Sequence, residues 1–557
     1  LYFRVAKESP YGQGSVSMLE ALLPGWRGKA LVLILLGFAA TGFVITITLS
    51  AADATAHIVQ NPLCPAWLGN RIALTILMLS VLAGVFLKGF REAIGFSFLI
   101  VGFYLICNAV VVAVGLQEVF THPQLIQNWS QNVLNQFHSV PLMIGLSLIY
   151  FPKLALGMSG FETGVAVMPL VQGDATDTMD HPAGRIRNTR KLLLTAALIM
   201  AGFLLCSGVI TTLLIPPEQF QEGGEANGRA LAYVAHKFLG EGWATVYDVS
   251  TILILWFAGA SAIAGLLNLV PKYLPRYGMA PDWARAQRPL VLFIAFITFA
   301  VTFIFRADVD AQAGAYATGI LVLFTSAALA VMLSTWNEGL VKRVTFATIF
   351  LIFVYTSIAN MIERPEGLQI SAFFIATILT VSLVSRTLRS LELRVHSVEF
   401  DQTAESFVEK ILNNTGQICL LAHRPGGTDY AAKEAETRKV HKLTLEEAEF
   451  IFLEVGLKDP SEFAGDCLKV RGVEVDGHSV LRCECAAIPN AIAAILLHLR
   501  NKTKTIPHAY FGWTEGHPVG YVVKYIFLGE GETAPVTREI LREVEPDCSR
   551  RPVVIVG

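Results

Sequence analysis

Residues 147–171 read SLIYFPKLALGMSGFETGVAVMPLV, an apolar stretch interrupted by Pro152, Gly157, Gly160 and Gly164. Proline removes a backbone donor and glycine weakens a helix, so the pattern predicts a break in a membrane-spanning helix near the middle of the bilayer. Irregular backbone at that depth is tolerated only against protein or a water-filled cavity. A proline-kinked but continuous helix is the simpler alternative for the same residues.

Two charged residues, Lys153 and Glu162, fall within this stretch. A charge at the middle of a bilayer costs about 3 kcal/mol or more, which favours a solute or ion pathway. A mutual ion pair that fixes helix packing is the structural alternative. Secondary transporters hold their substrates at interrupted helices. The candidate binding residues of the stretch are Lys153, Gly157, Ser159, Gly160, Glu162 and Thr163.

The composition places this stretch in a membrane protein. The 557 residues are 53% hydrophobic and 16% charged, against roughly 25% charged residues in soluble domains. A net charge of −2 gives no indication of nucleic-acid binding. Ten stretches are long and apolar enough to span a bilayer: 29–52, 71–89, 92–117, 139–171, 191–215, 243–270, 289–306, 313–335, 344–361 and 368–386.

The basic residues of the short loops predict the orientation of these spans. With the N-terminus in the cytoplasm, most loop cations lie inside, Arg185, Arg187, Arg190 and Lys191 among them. An even number of spans then returns the chain to the cytoplasm. We expect a cytoplasmic link at 1–28, a transport domain at 29–388 and a cytosolic domain at 396–557.

Residues 396–557 predict a cytosolic α/β domain, for which a regulatory role stays open. Strands are expected at 416–423, 520–532 and 552–557, a hairpin about Asp476-Gly477 within 467–486, and helices at 443–455 and 488–503. HRPGGTD (423–429) is read as a plain turn, since it lacks the spacing of a dinucleotide loop. No zinc set accompanies Cys483 and Cys485, and we expect no metal. The scattered histidines, His423 among them, are expected to be solvated or in the core.

Several segments resemble the amino acid–polyamine–organocation (APC) superfamily, in particular its bacterial permeases with a cytosolic C-terminal domain, which are related to KUP-type potassium permeases. The residues that carry the resemblance are FPKLALGMSGFETGVAVMPL (151–170), GFAATGFVITITLSAADATAH (37–57), AGLLNLVPKYLPRYGMAPDW (264–283) and SLVSRTLRSLELRV (382–395). The resemblance implies an all-α membrane domain with a five-plus-five inverted repeat of the leucine-transporter type, in the bacterial inner (plasma) membrane. Ten spans instead of twelve imply that the first two helices are missing.

The resemblance also implies further site residues, together with one departure. The family pattern places an Asp at position 42, on the helical face of Thr46, where this chain has Gly42. Without that carboxylate an amino acid is favoured over a potassium ion. The remaining candidates on the partner helices are Thr41, Tyr104, Tyr316 and Thr318, for which interhelical hydrogen bonding is the alternative role.

The expected function is secondary-active transport, and no enzymatic activity is expected. The chain has no nucleotide-binding GxxxxGK[ST] loop, which favours a gradient-driven carrier over a nucleotide-driven pump. We expect proton-coupled uptake of an amino acid or similar small solute by alternating access. A potassium/proton symporter and a membrane-anchored sensor without transport are the alternatives. The expected partners are the lipid bilayer, the substrate and a coupling ion, either a proton or another monovalent cation. A homodimer and a nucleotide second messenger at the cytosolic domain stay open.

Overall fold

The computed structural model of the chain describes residues 1–12, 14–23, 25–89, 93–137, 139–151, 160–166, 168–178, 181–221, 223–273, 279–280, 282–444, 448–463, 465–513 and 516–557. The chain divides into two compact units. The first comprises Leu1–Leu22, Ala30–Lys272 and Asp282–Leu379, and the second comprises Leu23–Lys29, Tyr273–Pro281 and Thr380–Gly557.

The described residues up to 388 form mainly helices. In chain order they are α1 (Tyr2–Glu8), α2 (Gly14–Leu22), α3 (Trp26–Gln60), α4 (Arg71–Lys88), α5 (Ala93–Thr121), α6 (Gln124–Phe137), α7 (Val140–Tyr150), α8 (Gly160–Ala166), α9 (Ala183–Leu214), α10 (Ala230–Leu239), α11 (Glu241–Tyr273), α12 (Gln287–Ile304), α13 (Val309–Ser334), α14 (Leu340–Glu363) and α15 (Pro365–Leu388). Helices dominate because a backbone in hydrocarbon has no water with which to form hydrogen bonds.

Nine helices among the described residues are long and apolar enough to cross a membrane: α3, α4, α5, α9 and α11–α15. The chain is therefore a multi-pass membrane protein, and nine of the ten predicted spans are confirmed as apolar helices. The tenth, 139–171, is not one helix: α7 and α8 both lie within it. Helices α6 and α7 form a pair bent by 90°, which counts as a tenth span if the two cross together.

Helices α3 and α13 form the interior of the first unit, and most of their residues are buried. They approach each other closely at two glycines. A Cβ placed on Gly319 would lie 3.0 Å from the carbonyl oxygen of Phe38 and 3.1 Å from the backbone nitrogen of Gly42. Small residues at a crossing allow such an approach, which maximises van der Waals contact between helices in a membrane.

The second unit is built on a seven-stranded sheet. Its elements are β1 (Val395–Phe400), α16 (Gln402–Thr415), β2 (Cys419–His423), α17 (Tyr430–His441), β3 (Phe450–Leu457), β4 (Gly465–Val475), β5 (His478–Cys485), α18 (Ile488–Thr503), β6 (His508–Phe511), α19 (Pro518–Leu528), α20 (Thr533–Val544) and β7 (Val553–Val556). The strand order is β1-β4-β5-β3-β2-β6-β7. Only the β4–β5 pair is antiparallel. The α/β class predicted for this part of the chain is confirmed.

Five of the seven elements that the sequence patterns predict for this unit match the structure. The strands β2 and β7, the helix α18 and the β4–β5 hairpin match the expectations, and Asp476 and Gly477 both have positive φ, as the hairpin turn requires. Two expectations are wrong. Residues 450–457 form the central strand β3 instead of a helix, and Pro518–Leu528 form helix α19 instead of a strand. Residues 445–447, which include the expected capping glutamate, lie outside the described residues.

A buried arginine holds together three segments of the second unit. Arg386 is 1% exposed, and its guanidinium donates hydrogen bonds to the carbonyl oxygens of Ile526 (3.1 Å), Ser461 (3.2 Å) and Pro460 (2.7 Å). The same group lies 4.6 Å from the ring centroid of Trp26. Its charge is buried and is compensated by carbonyl dipoles and an aromatic face.

We expect Gly529→Ala to destabilise the second unit more than Gly416→Ala does. Both glycines end a helix with φ near +70°, so alanine costs about 1–2 kcal/mol at either position. A Cβ at position 529 would lie 2.1 Å from the carbonyl oxygen of Ala486, whereas no described atom lies within 4 Å of one at position 416. The overlap adds about 1–3 kcal/mol. Thermal unfolding of the full chain measures both effects, and equal losses would contradict the packing described here.

Candidate functional site

The predicted interruption at 151–164 falls mostly outside the described part of the chain. The described part does not include residues 152–159, among them Lys153, Gly157 and Ser159. It also does not include the side chains of Glu162 and Thr163. Gly160 is described and is the first residue of α8. The interruption and its ligand-binding role stay predictions.

The candidates on α3 lie at its crossing with α13. The hydroxyl of Thr41 donates to the carbonyl oxygen of Gly37 (2.8 Å), and that of Thr46 donates to the carbonyl oxygen of Gly42 (2.6 Å). Both hydroxyl protons are therefore used within the helix. Each oxygen keeps acceptor capacity, which suits a cationic or N–H-bearing group better than an anion.

The candidates on α13 are buried in the same region. Thr318 is 1% exposed and Tyr316 is 6% exposed. The Thr318 hydroxyl accepts a hydrogen bond from the Asn360 amide (2.9 Å) and donates to the carbonyl oxygen of Gly314 (3.2 Å). For Thr318 the structure thus shows the interhelical hydrogen bonding that was the alternative role. The next residue, Gly319, makes the close approach to Gly42 of α3, whereas the Thr318 hydroxyl faces Asn360 of α14.

A buried carboxylate, Asp248, organises a second polar group, which sequence analysis missed. Asp248 lies in the second turn of α11, and its side chain is 1% exposed. Its oxygens accept hydrogen bonds from Nδ1 of His57 (2.9 Å) and from the amide of Asn61 (2.7 Å). A buried carboxylate without such partners would cost several kcal/mol. The hydrogen bonds therefore fix the end of α3 against α11.

Local structure explains why His57 and Asn61 reach Asp248. His57 lies in the last turn of α3. Asn61 follows the helix directly, and its side-chain oxygen accepts a hydrogen bond from the backbone nitrogen of Leu63 (3.0 Å). This turn leaves the Asn61 amide free to point at the carboxylate.

A second histidine connects Asp248 to an exposed acid. Nε2 of His236, on α10, lies 3.1 Å from Oδ2 of Asp248, and its Nδ1 lies 2.8 Å from Oε2 of Glu241. The Glu241 side chain is 66% exposed. Arg229 adds a positive charge 3.8 Å from Asp248. The series Glu241–His236–Asp248–His57 therefore runs from the surface to a side chain that is 6% exposed.

Two further polar groups, on α3 and α5, interact electrostatically with members of this series. Asp53 lies one turn before His57, is half-buried, and is near enough to His57 and to the exposed Asp310 of α13 to interact with both charges. Tyr104 lies near both Asp53 and Tyr247. The amide of Asn108, one turn further on α5, donates to the carbonyl oxygen of Tyr104 (2.9 Å), and Asn108 accepts from the Tyr247 hydroxyl (3.4 Å). Of the predicted site residues, Tyr104 is the one that joins this network.

Histidines alternating with carboxylates are suited to moving protons. A histidine between two carboxylates donates to both when protonated, and loss of the proton leaves one contact without a hydrogen. Each step in the series spans about 3 Å, within hydrogen-bond reach. We name Glu241, His236, Asp248 and His57 the acid–histidine relay. Among the described residues, no three histidine, cysteine or acidic side chains are placed to hold a metal ion.

The sequence held a signal for the relay. Asp248 lies within the predicted span 243–270, and an ionisable residue inside a span is a functional candidate by default. The partners at 57, 61 and 236 carry no such signal, because they lie at helix ends and are separated by up to 191 residues along the chain.

The second unit contains another buried polar group, which we name the His423 cluster. His423, Glu454 and Arg482 are register partners on the adjacent strands β2, β3 and β5. Nδ1 of His423 lies 2.9 Å from Glu454, and Arg482 donates to the other Glu454 oxygen (2.6 Å). The Tyr430 hydroxyl also donates to Glu454 (2.5 Å). His423 is thus a buried, hydrogen-bonded histidine packed on Tyr430 and Phe452, which is the core role expected as one of its two alternatives.

The strand order of the parallel sheet reverses between β2 and β6, the usual ligand crevice of an open α/β sheet, whereas this cluster extends from β2 in the other direction, across β3 and β5. The loop that leads from β2 to α17 ends at Asp429, whose carboxylate accepts from Nε2 of His423 (3.0 Å). This hydrogen bond holds the pKa of Asp429 below its usual value. A fixed negative charge at the start of α17 competes with any phosphate there.

No protein-family model matches the chain, and no curated protein matches it significantly. The argument for function therefore rests on the geometry of the polar groups and on the sequence pattern.

We expect Glu454→Gln to destabilise the second unit at pH 7 by about 1.5–3 kcal/mol, the contribution of hydrogen bonds to a charged group. Burial alone would raise the pKa of Glu454, but its hydrogen-bond donors hold that pKa below the usual value. A lowered pKa contributes stability that is present above the unfolded-state pKa and is lost as the pH falls through the folded-state pKa.

The difference between Glu454→Gln and the unaltered chain should therefore shrink at pH 4, which thermal unfolding of the full chain measures. Exposed Glu484, on the neighbouring strand β5, is the control: Glu484→Gln should change little at either pH. A difference for Glu454→Gln that persists undiminished at pH 4 would contradict this assignment.

Proposed function

We propose that the chain is a secondary-active transporter that couples the movement of a small solute to a proton. The observation that carries the proposal is the acid–histidine relay, in which an exposed acid is joined through hydrogen bonds to buried groups of the membrane unit. Ionisable residues inside membrane helices are costly and serve pathways in most cases. A structural ion pair needs two groups, whereas here four titratable side chains form a series.

The orientation predicted from loop cations assigns a side to this relay. It places the end of α3 and the starts of α11 and α13 on the extracellular side of a bacterial inner membrane. The exposed acids Glu241 and Asp310 then face the external medium. Protons enter through Glu241 and reach Asp53 by way of the buried pair Asp248–His57. The second unit lies in the cytoplasm in this arrangement.

We propose an amino acid or a similar small solute as the cargo. Gly42 provides no carboxylate at the α3–α13 crossing, and the nearby Thr41 and Thr46 hydroxyls have only acceptor capacity left. An amino acid carries its own carboxylate and ammonium group, so its binding site needs hydrogen-bonding groups more than charged side chains. Substrate passage by alternating access would involve the interruption predicted at 151–164, as in the APC superfamily that the sequence resembles.

A potassium/proton symporter is the second candidate, because of the carboxylates of Asp53 and Asp310. The two lie near enough for their charges to interact, and neighbouring carboxylates provide oxygen ligands and negative charge for a dehydrated cation. This pair lies about 16 Å along α3 from Gly42, at 1.5 Å per residue. It therefore offers a cation site separate from the α3–α13 crossing.

We expect Asp248→Asn to lower proton-driven solute uptake about 10–100-fold. The substitution keeps the shape of the side chain but removes its charge, and hydrogen bonds to a charged group contribute about 1.5–3 kcal/mol. Uptake of labelled amino acids into proteoliposomes, driven by an imposed pH gradient, measures the effect. His122→Gln is the control, because His122 forms an exposed pair with Glu118 (3.1 Å) at the end of α5 and makes no hydrogen bond to a relay residue among those described. Unchanged gradient-driven uptake by Asp248→Asn would assign proton coupling to other residues.

We expect Gly42→Asp to shift the preference from an amino acid towards potassium. A Cβ at this position has Ile320 as its nearest described neighbour, at 3.9 Å, so a side chain can begin there without overlap. The unaltered protein should fail to rescue a potassium-uptake-deficient bacterium at low potassium, and Gly42→Asp should improve growth. Gly42→Asn, which has the same shape without the charge, should not. Rescue by the unaltered protein would instead favour the symporter based on Asp53 and Asp310.

A further inference from the structure

A groove of about 420 Å³ lies between α1 and the beginning of α9. Its walls are of two kinds. Lys7, Arg187, Arg190 and Lys191 provide a cationic side, and Phe3 and Leu194 belong to an apolar side. None of the described residues that line the groove carries a carboxylate.

Hydrogen bonds fix the cationic side in place. Nε of Arg190 donates to the carbonyl oxygen of Phe3 (3.2 Å), which ties α1 to α9. Arg187 donates to both carboxylate oxygens of Asp174 (2.9 and 2.8 Å) outside the groove, which compensates one of the four charges. The groove thus keeps an excess of positive charge, and the hydrogen bond between α1 and α9 fixes the two helices that form it.

The groove opens towards the lipid. The cations occupy the first turns of α9, and the apolar span of this helix follows at once, with Leu194 49% exposed and Leu198 66% exposed. Charged head groups and acyl chains meet at the same depth in a bilayer. A cationic cleft continuous with an exposed leucine surface is therefore complementary to both ends of an anionic lipid.

We propose that this groove binds the phosphate head group of an anionic phospholipid, with the acyl chains along α9. A free phosphate is also an anion, but it has no apolar part that could contact Phe3 and Leu194 on the apolar side of the groove. The orientation predicted from loop cations places the groove at the cytoplasmic leaflet, where Lys and Arg interact with anionic lipids. The inference does not depend on the transport proposal.

Native mass spectrometry of the full-length protein in detergent, titrated with phosphatidylglycerol or phosphatidylcholine, tests the inference. Phosphatidylglycerol should bind at least about tenfold more tightly. The double variant R190Q/K191Q should weaken its binding about 25-fold, since each cation near an anionic head group contributes about fivefold. The charge-conserving variant R190K/K191R should retain the preference, which separates loss of charge from loss of structure. The single variant K7Q, on α1, should weaken binding about fivefold.

The control is K342Q/R343Q, which removes an equal number of charges at the start of another apolar helix, α14, and should leave the preference unchanged. Inorganic phosphate at 10 mM should not displace the lipid. Three results would overturn the inference: equal affinity for the two lipids, equal losses in R190Q/K191Q and K342Q/R343Q, or displacement of the lipid by phosphate. The last of these would show that the groove recognises free phosphate and not a lipid.

Discussion

The first unit, which contains the membrane-spanning helices, depends on one constraint: the hydrocarbon of a bilayer offers no hydrogen-bond partner. Backbone N–H and C=O groups must therefore form hydrogen bonds with each other, so the apolar stretches become long helices such as α3 and α9. Any polar side chain within them must find its partners inside the protein. Asp248 shows the consequence, because its carboxylate draws together the end of α3, the beginning of α11 and the short helix α10. The geometry of the acid–histidine relay follows from this demand.

Apolar run length was sufficient to predict the spans, because length and hydrophobicity alone decide whether a helix crosses a bilayer. The same signal does not decide whether a short apolar run forms a helix or a strand. The run YVVKYIFL in α19 has the residues of a strand, yet it packs as a helix that ends at Gly529. The run FIFLEV follows a glutamate-rich segment that favours a helix, but it forms the central strand β3, which is paired on both sides. In both places the tertiary contacts, and not the local sequence preference, decide the secondary structure.

The candidate site could be predicted only in part. Sequence pattern placed Gly42 and Thr318 on helices that meet, because small and hydroxyl residues within spans mark interhelical contacts. It missed the partners of Asp248, since His57 and His236 lie at helix ends and meet only through the tertiary fold. Arg386 illustrates the same limit: a cation next to a span is read as a loop residue, whereas the fold buries it against three carbonyl oxygens.

Proton movement driven by the solute tests the central claim most directly. Proteoliposomes that contain the full-length protein and a luminal pH-sensitive dye, with no imposed pH gradient, would receive a pulse of external amino acid. Coupled symport predicts that the lumen acidifies in step with uptake of the labelled solute. Solute uptake without any change in luminal pH would contradict the account, because the acid–histidine relay would then have no role in transport.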